Sequence, residues 1–562
     1  MYEDRRTEAS CTLINEEPKE APSKRHLSKS HTIILVAGIL ISNLSTAIDS
    51  SLSASSHVAV ASAFSRTNLS SWPVNAFLLM STTFQPLYAR VSDHLGRKIP
   101  YLTASVLFLS GLVVCANTDI WAGLIFGRAV SGLGTAGVMT MGSVLLTDVV
   151  GVEKRGYYQS MNYAVYGIGS GLGSALGGFL VERFGWSMVY KAQIPFAATA
   201  LVLLVVSIPS RTRLMAINGF NNSRSLASLH NYDWWGSVLL LATLILLFAF
   251  LTTGGNTLPW SHPMVITFGI FLMASMGLFI MIEKKAKSPI LPLQLFTSSP
   301  TRSLMVTGFM FSLINYLIMY HTTLFFQSVL LESSQQASLH LIIPSVSFTI
   351  ISVITASVIA RLKTPVYTLR GSQVLLGIGV LGLFLAVAST SAHSRVPDYI
   401  YNLVLIFPTL GVGMMAPSTV LTLLNSSTKE DHAVANGCFI MMRSLGVFIA
   451  VALGTTTLQN AFEFSLTHQK VDDESRKAIE LARQKVELIP TLPESIRSKV
   501  VNAYSTGFTI LFGLCVLSTI LIMLSLRGIS VQELGDGTYS KQTGLNNEEE
   551  DTEMEMDPVR RG

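Results

Sequence analysis

The sequence predicts an all-α polytopic membrane protein, and three observations carry that prediction. Only 13% of the 562 residues are charged while 49% are hydrophobic, against about 25% charged in an ordinary soluble domain. The charges are also unevenly placed, since residues 1–30, 461–501 and 527–562 hold 39 of the 73. What remains divides into apolar runs close to the ~20 helical residues that cross a bilayer core of roughly 30 Å.

Taken in order, the runs place spans at about 31–54, 72–92, 100–117, 120–147, 157–180, 188–208, 234–253 and 263–282. Six more follow at about 303–330, 339–360, 367–390, 399–424, 433–459 and 503–526. That makes fourteen. The first strains the criterion most, because it carries many serines and Asp49, and the fourth is unusually long.

Orientation follows from lysine and arginine in the short loops, which mark the cytosolic side. One set of loops carries Lys24, Arg25, Arg90, Arg97, Lys98, Lys154, Arg155, Arg211, Arg213, Lys284, Lys285, Arg361, Lys363 and Lys429. The opposite short loops show only Arg66, Arg183, Lys191 and Arg395. The alternation is unbroken, so both termini are expected in the cytosol and the span number is even. The long segment 461–501 then faces the other side, and its seven acidic and seven basic residues suggest a solvated helical hairpin. Of the glycosylation sequons only Asn68 falls in a non-cytosolic loop.

This reading excludes several function classes. The net charge of +5 and pI near 8.9 belong to membrane-flanking loops, and no basic patch interleaved with aromatics suggests nucleic acid. Four isolated cysteines offer neither a disulfide framework nor metal-ligand spacing. No zinc-type H-E-x-x-H and no nucleophile elbow in context points to an enzyme. The polar residues 1–30 precede an apolar run too long for a signal peptide, so the first span is expected to be an uncleaved anchor.

Glycine patterns and in-span charges are the functional pointers. Gly132-Leu133-Gly134-Thr135-Ala136-Gly137 satisfies G-x-G-x-x-G but lies inside an apolar helix, where small residues bring helix backbones together. The same logic covers the run from Gly167 to Gly178, with Gly169, Gly173, Gly177 and Gly178 in a helix whose glycines serve packing or a hinge. A charge at a helix centre costs about 2.5–3.5 kcal/mol on insertion scales. Asp49, Arg128 and Arg443 therefore either pair to hold helices together or bind protons or substrate. His321 is a candidate proton carrier or a hydrogen-bonded packing residue. Asn43, Asn75, Gln85, Asn315 and Gln327 are candidate polar liners or helix bridges.

The turn Asp93-His94-Leu95-Gly96-Arg97-Lys98 resembles the signature loop of the major facilitator superfamily. Gly127-Arg128 with Gly132 is similar to that superfamily's fourth-span arginine motif, and Gly169 through Gly178 to its fifth-span antiporter motif. Ile48-Asp49-Ser50-Ser51 resembles the first-span acidic motif of the fourteen-span proton antiporters. Leu324-Phe325-Phe326-Gln327 and Arg443-Ser444-Leu445-Gly446 extend the likeness over nearly all of 31–526. The chain departs from the pattern at Ala89, His94, Ser174 and Ser187, where glycine, a basic residue, proline and arginine are usual. Within the superfamily it most resembles the fungal vacuolar basic amino acid transporters.

The resemblance implies two six-helix bundles, over 31–208 and 303–526, with two extra central spans inserted in 209–302. A cytosolic tail over 1–30 and an acidic cytosolic tail over 527–562 complete the expected organisation. It implies lysine and histidine, with arginine a further candidate, moving from cytosol into the vacuole in exchange for protons. No cofactor is implied beyond the proton gradient, and the partners are the amino acid, protons and membrane lipid, with no nucleic acid and no obligate protein. Burial disfavours the charged form of Asp49, so that group is the candidate proton site. Arg128 is a candidate for the substrate carboxylate, while Asp93, Gly96, Arg97 and Lys98 are assigned to gating. A drug or siderophore exporter at the plasma membrane shares every one of these motifs.

Overall fold

The computed structural model describes residues 29–527, apart from 150–154, 209–232, 255–257, 287–288, 291–295, 297–298, 363–364, 391–395, 427–431 and 468–472. Nearly all of the expected tail over 1–30, the acidic tail beyond 527 and most of the loop before the seventh span lie outside these residues. So do the side chains of Arg90, Asp93 and His94.

Fourteen spans run through the described chain, twelve as single helices and two as helix pairs. The first six spans are Lys29–Ala63, Ser71–Leu95, Lys98–Asn117, Trp121–Val149, Arg155–Phe184 and the pair Met188–Lys191 and Ile194–Ser207. The seventh and eighth are Trp234–Thr253 and Pro263–Lys285. The last six are Ser299–Ser328, the pair Ser334–Leu339 and Ile342–Leu362, Pro365–Ala388, Asp398–Ser426, His432–Thr467 and Glu494–Ser525. Thirteen spans are long and apolar enough to cross a membrane. The second is diluted by the buried Ser81, Thr82, Thr83 and Gln85, yet it packs along the fourth as a helix of 25 residues.

The serines of the first span do not break its helix, and several turn their hydroxyls back onto its own carbonyls. Ser45 and Ser56 donate to the carbonyls of Ile41 and Leu52 one turn back. With no competing water in the bilayer, such local bonds keep the backbone helical. The first span accordingly runs nine residues past its expected end, to Ala63.

The first span packs on the fifth and sixth, and the second and third pack on the fourth. In the other half the ninth packs on the thirteenth, the tenth and eleventh on the twelfth, and the fourteenth on the ninth, eleventh and thirteenth. The seventh span sits over a seam between halves, against the second and thirteenth. Trp72 meets Phe248 there edge-on at 5.3 Å, and Thr456 Oγ1 donates to the Leu251 carbonyl at 2.6 Å. The eighth packs on the seventh and leaves Ile270, Phe271 and Met273 exposed, a face suited to lipid.

Fourteen crossings put both ends of the described chain at one end of the bundle. At the opposite end the halves are tied together. Gln335 N donates to Glu182 at 3.2 Å, Ser338 Oγ to the Ser55 carbonyl at 3.3 Å, and Thr67 Oγ1 to the Gln484 carbonyl at 2.7 Å. The segment 461–501 is not the solvated hairpin its balanced charges suggest. Its helix Asp473–Gln484 and the following turn Val486–Thr491 bury Ile479, Ala482, Val486 and Ile489 in the core of the second half. Arg483 is buried with them, neutralised by Glu463 and donating through Nε to Gln459. An amphipathic helix with so regular an apolar face finds a core to cover.

Candidate functional site

The polar residues of the first span converge on its middle. Asp49 is fully buried, and both its oxygens accept from Arg128 Nη1, at 2.7 and 2.9 Å. The Arg128 guanidinium lies 4.2 Å from the Phe77 ring centroid and 6.0 Å from that of Tyr190. Its Nε and Nη2 make no hydrogen bond among the described residues. The candidate proton site and the candidate for the substrate carboxylate are thus held by each other, the pairing alternative left open by the sequence.

The glycine run explains why the first span can come so close. Gly169, Gly173 and Gly177 recur at four-residue intervals on the fifth span, a spacing that keeps them on one helix face. A Cβ on Gly173 would lie 2.7 Å from the Ile48 carbonyl oxygen and 2.8 Å from Ser51 Cβ. Gly169 meets Ala47 and Leu44 in the same way, and Gly178 faces Ser334 and Ser338 of the other half. Ser174, where the superfamily pattern has proline, bonds Ser51 Oγ at 2.7 Å and Ser345 Oγ at 3.3 Å. That position links the first, fifth and tenth spans through hydroxyls.

A second polar centre lies beside the first. Ser50 Oγ and the Tyr316 hydroxyl share a 2.6 Å hydrogen bond, which joins the first span to the ninth. Tyr166 of the fifth span lies against Ser50, within electrostatic reach of Arg443 of the thirteenth. Arg443 is half-buried, its Nε 3.4 Å from Ser312 Oγ and its guanidinium 5.3 Å from the Phe311 ring. Its neighbour Ser444 donates to Gln85 of the second span at 3.3 Å. Residues from five spans and both halves meet here.

The remaining candidates separate. Asn315 is half-buried next to Tyr316. Gln327 is buried further along the ninth span, and its Nε2 has no partner among the described residues. His321 Nδ1 lies 3.1 Å from the Leu317 carbonyl, so it donates there and fixes the neutral tautomer with a lone pair on Nε2. A Cβ on Gly454 would meet that ring at 2.7 Å from Nε2, so His321 packs against the thirteenth backbone. Asn43 bonds Asn162 at 2.7 Å and bridges helices. Asn68 is half-buried in a single helical turn, Thr67–Leu69.

At the terminal end Gly96 has φ of +82°, a value glycine adopts without strain, and it ends the second helix. Arg97 Nη1 donates to Ser92 Oγ at 2.6 Å, and Lys98 Nζ to the Val205 carbonyl at 3.4 Å. Asp93 is the gating candidate whose side chain is outside the description.

Ser50, Tyr166, Tyr316 and His57 were not singled out as sites in the sequence. Ser50 follows Asp49 directly, and Tyr166 precedes the glycine run, which were the available signals. His57 had none: it is buried in the first span, stacked on Tyr320 at 3.8 Å. Among the described residues no three His, Cys, Asp or Glu side chains gather as a metal site.

The chain belongs to the major facilitator superfamily, whose family model matches residues 32–451. Multidrug resistance protein fnx1 of Schizosaccharomyces pombe is 29% identical over 501 residues, covering 88% of this chain and 92% of that one. Vacuolar basic amino acid transporter 2 of Saccharomyces cerevisiae is 30% identical over 406 residues, 70% and 83% of the two chains. Vacuolar membrane amino acid uptake transporter fnx2 of Schizosaccharomyces pombe is 25% identical over 511 residues, 89% and 85%. The fold matches an inward-facing, unoccupied bacterial homologue of the human lysosomal transporter Spinster, with a TM-score of 0.60 at 11% identity over 90% and 98% of the chains. It also matches a D-xylose-proton symporter at 0.59 and 13% identity over 90% and 99%. The protein is a multi-pass membrane transporter of small molecules, not an enzyme.

Proposed function

We propose that this protein exchanges cytosolic basic amino acids, lysine and histidine with arginine as a third candidate, for protons of an acidic vacuole. The observation that carries proton coupling is the fully buried Asp49–Arg128 pair, held by one guanidinium nitrogen at 2.7 Å. Protonating Asp49 removes the charge that balances Arg128. A buried charge left without its partner costs about 3–5 kcal/mol. That energy favours a rearrangement in which Arg128 reaches water or an anion, so proton loading on one side and release on the other drives the two halves between states. The glycine face beside Asp49 gives the first and fifth spans room for close packing.

The names of two vacuolar relatives, at 30% and 25% identity, support the substrate class and the membrane. The name of fnx1, at 29% identity over most of the chain, favours a second reading, drug export from the cell. Uptake of a labelled amino acid panel by isolated vacuolar vesicles separates them. Basic amino acids should enter only with a pH gradient and only when the protein is present. Normal uptake of all three by vesicles lacking it contradicts the reading, as does a fluorescently tagged protein confined to the cell edge.

A further inference from the structure

Of the two arginines in the central region, one is neutralised and the other is not. Arg128 has Asp49. Arg443 has no carboxylate within ion-pair distance among the described residues. Its one hydrogen bond to a described residue is the long 3.4 Å contact from Nε to Ser312 Oγ. The two terminal nitrogens, which form the fork that grips carboxylates, are left for another partner. An arginine within a membrane span normally pairs or lines a polar cavity, because its charge is costly there.

The surroundings of Arg443 are suited to a ligand rather than to a structural pair. It is half-buried, unlike the sealed Arg128. The ninth span presents the Phe311 ring, Ser312 and Tyr316 to it, the fifth presents Tyr166, and the first presents Ser50 through its bond to Tyr316. The second span reaches the neighbouring Ser444 through Gln85. Both halves therefore contribute, which is where two-bundle transporters hold their substrates. With Asp49 and Arg128 cancelling, the region carries one uncompensated positive charge.

We propose that the Arg443 guanidinium, beside Phe311 and Ser312 and in the same polar region as Tyr316 and Tyr166, is the subsite for a substrate carboxylate. This deepens the amino acid reading above and rests on it. The fork donates to both carboxylate oxygens, and the two phenols donate to lone pairs left over. An amine lacking the carboxylate meets only a like charge. The subsite thus selects amino acids over their decarboxylated amines, whatever the side chain, and the two hydroxyls on opposite halves register its occupation.

The test is displacement of labelled lysine from the purified full-length protein by unlabelled lysine and by cadaverine, which is lysine without its carboxylate. The wild type should prefer lysine by at least about tenfold, or ~1.4 kcal/mol. Arg443→Gln should lose that preference by weakening lysine and, with the like charge gone, tightening cadaverine, and Arg443→Lys, which keeps the charge without the fork, should lose part of it. Tyr166→Phe should give a smaller loss. A thermal melt of each variant separates binding from misfolding. Arg443→Gln and Arg443→Lys that both retain the wild-type preference overturn the subsite alone. A wild type that binds none of lysine, histidine and arginine overturns the subsite and the amino acid reading together.

Discussion

Asp49 and Arg128 meet through a single nitrogen, Nη1, which donates to both carboxylate oxygens while Nε and Nη2 stay unbonded among the described residues. A pair this deep, held from one corner of the guanidinium, is strong enough to join the first and fourth spans and open enough to exchange its partner. Removing one member outright leaves a bare buried charge, which costs about 3–5 kcal/mol. Asp49→Asn, which removes the charge but keeps an acceptor oxygen for Nη1, should therefore lower the melting temperature clearly, and Asp49→Ala, which removes both, should lower it further. Melting in detergent, followed by intrinsic fluorescence, distinguishes the two. Equal losses would show that the carboxylate oxygen geometry is irrelevant to the pair.

The glycine face of the fifth span should be sensitive position by position. Gly173→Ala puts a methyl 2.7 Å from the Ile48 carbonyl, so the first span has to move away from its position beside Asp49. Gly171→Ala meets nothing within 4 Å, and alanine improves helix propensity by up to about 1 kcal/mol. Transport should fall strongly in the first variant and stay normal in the second. If both behave alike, close packing of the first and fifth spans is not what the glycines supply.

Much of the architecture was legible in the sequence because membrane spans are read from length and composition, which depend little on partners. The second span is read from its apolar stretch over 72–92, although Ser81, Thr82, Thr83 and Gln85 take it below a strict apolar criterion. Partnership was harder to read. Composition marked Asp49 and Arg128 as costly residues but could not say that they neutralise each other across 79 positions. The same limit hid Tyr166 and Tyr316, whose importance comes only from Arg443 and Ser50 being close. The segment 461–501 misled for the opposite reason: its charges suggested solvent, and only the buried Ile479 face ties it to the core.

The turn at the terminal end should act on rate and not on folding. Arg97 holds Ser92 at 2.6 Å across a turn made possible by the positive φ of Gly96. Arg97→Ala removes one half-buried hydrogen bond outside the packed spans and should leave abundance near normal while slowing transport. Gly96→Ala forces a β-carbon into a positive-φ, extended backbone that is essentially reserved for glycine, at a cost of about 1–3 kcal/mol, and should slow it further. Quantitative blots beside uptake rates check both. Loss of the Arg97→Ala protein itself would make the contact structural.

Proton coupling at Asp49 is the central claim, and it is tested most directly by reading the lumenal pH of vesicles as lysine is added. With an imposed acidic lumen, wild-type protein should alkalinise the lumen on lysine addition and accumulate lysine until an uncoupler collapses both. Each tenfold proton gradient is worth about 1.4 kcal/mol per proton, enough for roughly tenfold accumulation if electrical terms are set aside. Asp49→Asn, folded and in the same membrane, should show no lysine-driven proton movement. Lysine-driven alkalinisation of undiminished size in Asp49→Asn would contradict the account.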